Sequence, residues 1–360
     1  MKQFFLFKLH NLANCYFAGW LSLWALYSHY QLGYTLYDMD KKDREKSILK
    51  MVYNNDRIDE IIDCENPDFK VRNKHQQAFF GVEVTELYYS ESNARLRNIP
   101  NYLGGILDNR QYHHKEDMKA LEVHEFTLLS DDKPDQQFKG ILKELPPVSQ
   151  YVQIVIEIIK NKSKRIQQYI QDLTHVNLII LDTENRIITF PRSDFYRSFF
   201  TPYLQTVLCK SGFREVFFVT KLETDRWVYI PLKMLFLVSE LYVFDGVLQH
   251  YYPQLNLGSP KEELSLFACY LYHIGAKGIH IVDTTNEFEV IYGNCGIILT
   301  DDKKLIVRDY VDYPLPEHAL PLAGEDKRAI INDAFETNVS EFVQHNTFVA
   351  DLAFDANSLI

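Results

Sequence analysis

Apolar positions recur at three- and four-residue intervals from Asp40 to Ile62, at Ile48, Leu49, Met51, Val52, Ile58, Ile61 and Ile62. That is the period of an amphipathic helix. Glu45 lies one turn before Ile48 and Leu49 and shares the inward face. The period then shortens to two. Asp68, Lys70 and Arg72 alternate with Phe69 and Val71; after a polar turn at Asn73 to Gln77, Gly81, Glu83 and Thr85 alternate with Phe80, Val82 and Val84. Two strands are predicted, with the acidic and apolar sets on opposite faces. From Tyr88 to Leu107 the pattern is helical again, interrupted at Pro100 and carrying Glu91, Asn93, Arg95 and Arg97, and Leu121 to Leu129 reads as a strand.

Residues 131–149 hold Asp131, Asp132, Pro134, Pro146 and Pro147, the punctuation of a connection. Beyond it, Val152, Val155, Ile156, Ile159, Ile166, Tyr169, Ile170 and Leu173 predict one long amphipathic helix, with Lys160, Lys162, Lys164 and Arg165 on its exposed face. Strand-like runs follow at 176–181, 215–220, 227–230, 278–282, 288–292 and 305–307, with helical candidates between them. The expected organisation is an apolar extension over 1–38, an α/β domain over 39–130, a linker over 131–149 and a second α/β domain over 150–360.

The extension raises the question of a membrane segment. A spanning helix needs about 20 predominantly apolar residues, and the run from Leu12 to Tyr34 is interrupted by Asn14, Ser22, Ser28, His29 and Gln31. No clear small-residue cleavage site follows the basic start at Lys2 and Lys8. Membrane and export readings are therefore disfavoured. Five scattered cysteines without a C-x-x-C pair fit a reducing cytoplasm and exclude a zinc-ribbon framework.

A net charge of -11 argues against a protein that coats nucleic acid by bulk positive charge. The acidity is uneven, however. Residues 39–110 hold 12 Lys and Arg against 13 Asp and Glu, whereas residues 301–360 hold 5 against 12, so a polyanion is expected to approach the first region. The chain has no G-x-x-x-x-G-K-[ST], G-x-S-x-G or H-E-x-x-H, which weakens P-loop, α/β-hydrolase and zincin readings.

What remains is a helix bearing Glu45, then Pro67-Asp68 and Glu83-Val84-Thr85 on successive strands, fifteen residues separating the two acids, then a polar helix. Residues 45–97 resemble the core of the PD-(D/E)XK nuclease superfamily, in which a Glu-bearing helix precedes a β-hairpin carrying Pro-Asp and Glu-x-Lys. Thr85 stands where that family has its lysine. The resemblance implies a restriction-endonuclease-like mixed sheet flanked by helices, with Asp68, Glu83, Thr85 and Glu45 at the active site. It also implies a Mg²⁺ ion, or Mn²⁺, held by Asp68, Glu83 and Glu45, because such ions take carboxylate, water and phosphate oxygens.

The function so implied is hydrolysis of phosphodiester bonds, in DNA before RNA, with a place in restriction or anti-phage defence. The C-terminal domain would choose substrate, dimerise or bind a protein partner. Thr85 leaves three routes open: Lys70, Lys74 or Arg95 replaces the missing cation, the metal carries more of the task, or catalysis is lost. In the last case the fold serves as an inactive nuclease-like binding or scaffold module.

Overall fold

The computed structural model describes residues 40–54, 56–74, 78–130, 133–141, 147–169, 172–182, 192–221, 226–255, 257, 259–284, 287–300, 304–310, 315–316, 318–322, 331–345 and 354–356. The apolar extension over 1–38 lies outside them. Two compact units are present, Met1–Ser47 and Ile48–Ile360. The described part of the first is the start of helix α1 (Lys41–Val52). Asp40 begins it, its carboxylate accepting from the backbone N–H groups of Lys42 at 2.8 Å and Asp43 at 3.1 Å. These are amides that the first turn of any helix leaves without intrahelical partners.

The second unit continues through β1 (Ile58–Asp63), β2 (Phe69–Asn73), β3 (Phe80–Leu87), α2 (Glu91–Asn98), α3 (Tyr102–Asn109), α4 (Asp117–Ala120), β4 (Val123–Ser130) and β5 (Lys133–Ile141). Next come α5 (Val148–Ser163), α6 (Ile166–Tyr169), β6 (Val176–Asp182), α7 (Arg192–Phe199), α8 (Pro202–Lys210), β7 (Val216–Lys221), β8 (Trp227–Pro231), α9 (Leu232–Tyr251) and α10 (Pro260–His273). The last elements are β9 (Ile279–Asp283), β10 (Phe288–Tyr292), β11 (Cys295–Leu299), β12 (Leu305–Asp309), β13 (Leu320–Pro321), α11 (Asp333–His345) and β14 (Phe354–Asp355).

A seven-stranded sheet runs in the order β1-β2-β3-β6-β7-β8-β14. It is mixed: β3, β6 and β7 pair in parallel, and the flanking pairs are antiparallel. A separate antiparallel sheet has the order β12-β11-β10-β9-β13, and β4 and β5 form a hairpin of their own. The fold is thus mixed α/β, with a large mixed sheet flanked by helices.

Three sequence expectations change. Helix α1 stops at Val52, and Ile58–Asp63 is a strand in which Ile61 stands opposite Val71. Over six residues the spacing of Ile58, Ile61 and Ile62 suits either element, and the ladder with β2 decides between them. The expected helix over 152–173 is divided into α5 and α6. Residues 131–149 contain β5 as well as the start of α5, and strands before and after them join one sheet, Gly81–Leu87 pairing with Val176–Asp182. The sheet therefore does not break where a linker was expected.

The side of β3 bearing Gly81, Glu83, Thr85 and Leu87 is covered by packed elements. Leu87 joins Val176, Leu178, Ile180, Val216 and Phe218 in one core with Val152, Val155, Ile156 and Ile159 of α5. Parallel central strands are covered on both faces, so alternation of polar and apolar residues cannot mean water on one side. On the opposite face, Tyr53 packs against Phe80 and Phe217 with ring centroids 5.6 and 5.9 Å away. The second core lies between α9, α10 and the five-stranded sheet. Among the described residues no helix is long and apolar enough to cross a membrane, and Cys64, Cys209, Cys269 and Cys295 are free thiols.

Candidate active site

The β2–β3 register assembles the acidic pair. Phe69 stands opposite Val82 and Lys70 opposite Gly81, and Asp68, one residue before β2, reaches across to the strand that carries Glu83. Asp68 follows the cis Asn66–Pro67 bond. Its Oδ2 accepts from the Val84 amide at 2.8 Å, and its backbone carbonyl accepts from the Cys64 amide at 2.9 Å. Gly81 seats this turn. A Cβ there would meet the Pro67 ring at 2.7 Å and Leu173 at 3.0 Å.

Glu83 is 4% exposed, an acid set into the α5-facing core. One oxygen, Oε1, accepts from the Lys162 ammonium at 2.5 Å. The other, Oε2, is buried and has no hydrogen-bond partner among the described residues. A buried carboxylate oxygen without a donor is costly, which makes it a place where a ligand would be stabilised. Tyr169 is buried beside the pair: its phenol is pushed up to about 12, first by burial and then by the charge of Glu83, with Arg165 opposing, Asp68 adding, and the hydroxyl's own weak, long-range hydrogen bonding toward Glu83 adding last. At neutral pH this phenol is protonated.

The remaining expected residues are distributed as follows. Thr85 is half-buried on β3, two residues from Glu83 and on its face. Glu45 is paired on its own helix, 3.4 Å from both Lys41 and Lys42. Tyr53, just after that helix, packs on the sheet face opposite Glu83. Among the described residues no three or more His, Cys, Asp or Glu side chains group closely enough to hold a metal ion. Asp68 and Glu83 are thus a pair, not part of a cluster of three.

Of the cations considered in place of the motif lysine, two are committed elsewhere. Lys74 donates to the Asp56 carbonyl at 2.6 Å. Arg95 grips Asp117 through Nε at 3.0 Å and Nη2 at 2.8 Å, and also reaches Glu91. Asp117 is fully buried and accepts as well from Ser92 and Tyr102, each at 2.6 Å. This hub ties α2, α3 and α4 together. Lys70 shares the face of Asp68 and is half-buried.

The cation that reaches Glu83 is instead Lys162, from the last turn of α5 and 79 positions away in the chain. A signal for it was present. Ile159, Lys162, Ile166 and Tyr169 are spaced by three, four and three residues, so Lys162 falls on the inward stripe of the run and not with Lys160, Lys164 and Arg165 on its exposed face. A lysine at an inward position wants a buried anion.

Stronger perturbations occur at a second buried acid, Glu215, whose Oε2 is also without a hydrogen-bond partner among the described residues but which has no second carboxylate of the hairpin beside it. Burial pushes Glu215 up and Lys233 down. Glu215 Oε1 accepts from the amides of Val216 at 2.9 Å and Lys233 at 2.7 Å, while the Lys233 ammonium donates to the Phe213 carbonyl at 2.5 Å. Both side chains are closed into the interior, anchoring the β8–α9 corner to β7.

Comparisons of the chain with protein-family models, with curated proteins and with solved structures gave no match.

Proposed function

We propose that the protein is a metal-dependent nuclease that hydrolyses phosphodiester bonds, with DNA as the first substrate to test and restriction or anti-phage defence as its setting. One observation carries the reading: Glu83 Oε2 is buried and without a donor, beside an Asp68 carboxylate held to the next residue of the same strand. Fixed, paired carboxylates with an unsatisfied oxygen suit a hard cation, since Mg²⁺ and Mn²⁺ favour oxygen ligands and bind through one or two carboxylates together with substrate phosphate. Asp68 and Glu83 would hold the ion, which when bound supplies Lewis-acid polarisation of the phosphoryl group. Lys162 takes up the cationic role left empty by Thr85. It orients Glu83 and brings positive charge to the place where a phosphate would sit. Glu45 is left out of this assignment.

The test is incubation of the purified protein with plasmid DNA, single-stranded DNA and RNA in Mg²⁺, Mn²⁺ or EDTA, alongside Asp68→Ala and Glu83→Ala. Metal-dependent cleavage lost in both variants supports the reading. Cleavage that survives both removes the site from consideration.

A second reading is an inactive nuclease-like binding module, with a second copy or another protein as its partner. The observation favouring it is the Lys162–Glu83 pair itself, because an internal ion pair already neutralises the buried acid. Nucleic-acid binding without cleavage in any metal, unchanged in Glu83→Ala, would select this alternative.

A further inference from the structure

Lys162, Arg165 and Tyr169 follow one another at intervals of three and four residues across the junction of α5 and α6. The backbone keeps winding there: the Arg165 amide donates to the Lys162 carbonyl at 3.0 Å, and the Gln168 amide donates to the Arg165 carbonyl at 2.8 Å. At that spacing the three side chains share one face. Two of them are located by their surroundings. Lys162 is on Glu83 Oε1, and Tyr169 is buried beside Glu83 and Asp68. Arg165 lies between them along the stripe and is exposed, and its charge reaches Tyr169.

The neighbouring cations are engaged. Lys160 donates to Glu157 at 3.0 Å and to the Tyr203 hydroxyl, Lys164 donates to Asn161 at 3.2 Å, and Lys162 is held by Glu83. Arg165 makes no ion pair among the described residues. Its guanidinium is therefore open to an anion, on the same helical face as the lysine that holds Glu83 and near enough for its charge to act on Tyr169. Two acids alone would repel an anionic substrate, and a planar guanidinium is the side chain best shaped to hold phosphate through two parallel hydrogen bonds.

We propose that Arg165 is the phosphate-gripping residue that seats a nucleic-acid backbone over Asp68 and Glu83, with Lys70 on the β2 side of the same face as its companion. The proposal rests on the nuclease reading. It adds a substrate-positioning residue outside the motif and a direction of approach, from the α5–α6 junction.

The experiment measures binding of fluorescein-labelled duplex and single-stranded DNA by anisotropy in Ca²⁺ over a series of salt concentrations, and cleavage in Mg²⁺. It compares the full-length protein with Arg165→Ala, Arg165→Lys and, as control, Lys164→Ala. Arg165→Ala is expected to weaken binding about tenfold or more and to reduce the slope of log affinity against log salt by about one. It should raise KM while leaving kcat nearly unchanged, with Arg165→Lys intermediate and Lys164→Ala close to the parent. Equal melting temperatures check that the exposed substitutions leave the fold intact. If the parent binds and cuts DNA while Arg165→Ala matches it in affinity and salt slope, the assignment of Arg165 is wrong and the nuclease reading stands. If the parent neither binds nor cuts any nucleic acid, both fall together.

Discussion

The Lys162 ammonium lies 2.5 Å from Glu83 Oε1, joining the last turn of α5 to the central strand β3 beside a largely apolar core. Breaking a buried pair from one side leaves an uncompensated charge, which costs on the order of 3 kcal/mol. Lys162→Met is therefore expected to lower stability in urea denaturation, and Glu83→Gln combined with Lys162→Met to recover part of the loss. If the two effects simply add, the pair is not coupled in solution. In cleavage assays Lys162→Met is expected to be inactive, and Lys162→Arg to keep partial activity.

Gly81 and Pro67 form the seat that fixes Asp68. Because a Cβ at Gly81 would lie 2.7 Å from a proline ring atom that cannot swing away, Gly81→Ala must displace the turn. A loss of about 1–3 kcal/mol is expected from this overpacking. Cleavage should fall more steeply than the folded fraction, since the Asp68 carboxylate moves with the turn. Wild-type cleavage by a destabilised Gly81→Ala would show that Asp68 does not depend on this packing.

The Asp117 hub makes an acid-stability prediction. Burial alone would raise its pKa, but hydrogen bonds from Arg95, Ser92 and Tyr102 outweigh burial and hold it at about 2, below the ordinary aspartate value of 3.8. A lowered folded-state pKa contributes stability that is fully present above 3.8 and lost as pH falls through about 2. The contribution is about 2 kcal/mol. Asp117→Asn should destabilise the protein at neutral pH and flatten its stability profile between these two values, measured by chemical denaturation across pH.

Glu240 predicts the opposite sign. Burial is the main influence and pushes its carboxyl up to about 7 from 4.5, against the hydrogen bond from the Tyr270 hydroxyl. A raised folded-state pKa contributes stability that is present below 4.5 and lost as pH rises through about 7. Glu240→Gln keeps an acceptor for Tyr270 and removes the titration. It should flatten the decline between pH 4.5 and 7 by about 3 kcal/mol. An unchanged profile would place the titration on another group.

Much of this fold is written in short-range pattern. The β2–β3 alternation, the helices on either side of Pro100 and the strands at 176–181, 215–220, 227–230 and 288–292 all follow from local periodicity, because an element that buries one face must repeat its apolar residues at its own pitch. The β2–β3 register was also local, since a hairpin register follows from its two strands and one turn. Local pattern failed where two elements compete over a few residues, as at Ile58–Asp63, and where burial depends on strand order. Nothing short-range says that β3 is covered on both faces, because its neighbour β6 begins 89 positions after Leu87. Only the tertiary fold brought Lys162 and Tyr169 onto Glu83, paired Arg95 with Asp117 instead of the site, and left Glu83 Oε2 buried without a donor among the described residues. The sequence determined which residues carry charge and which local faces they occupy; long-range packing decided which charges meet, because electrostatic partners depend on distance in space and not along the chain.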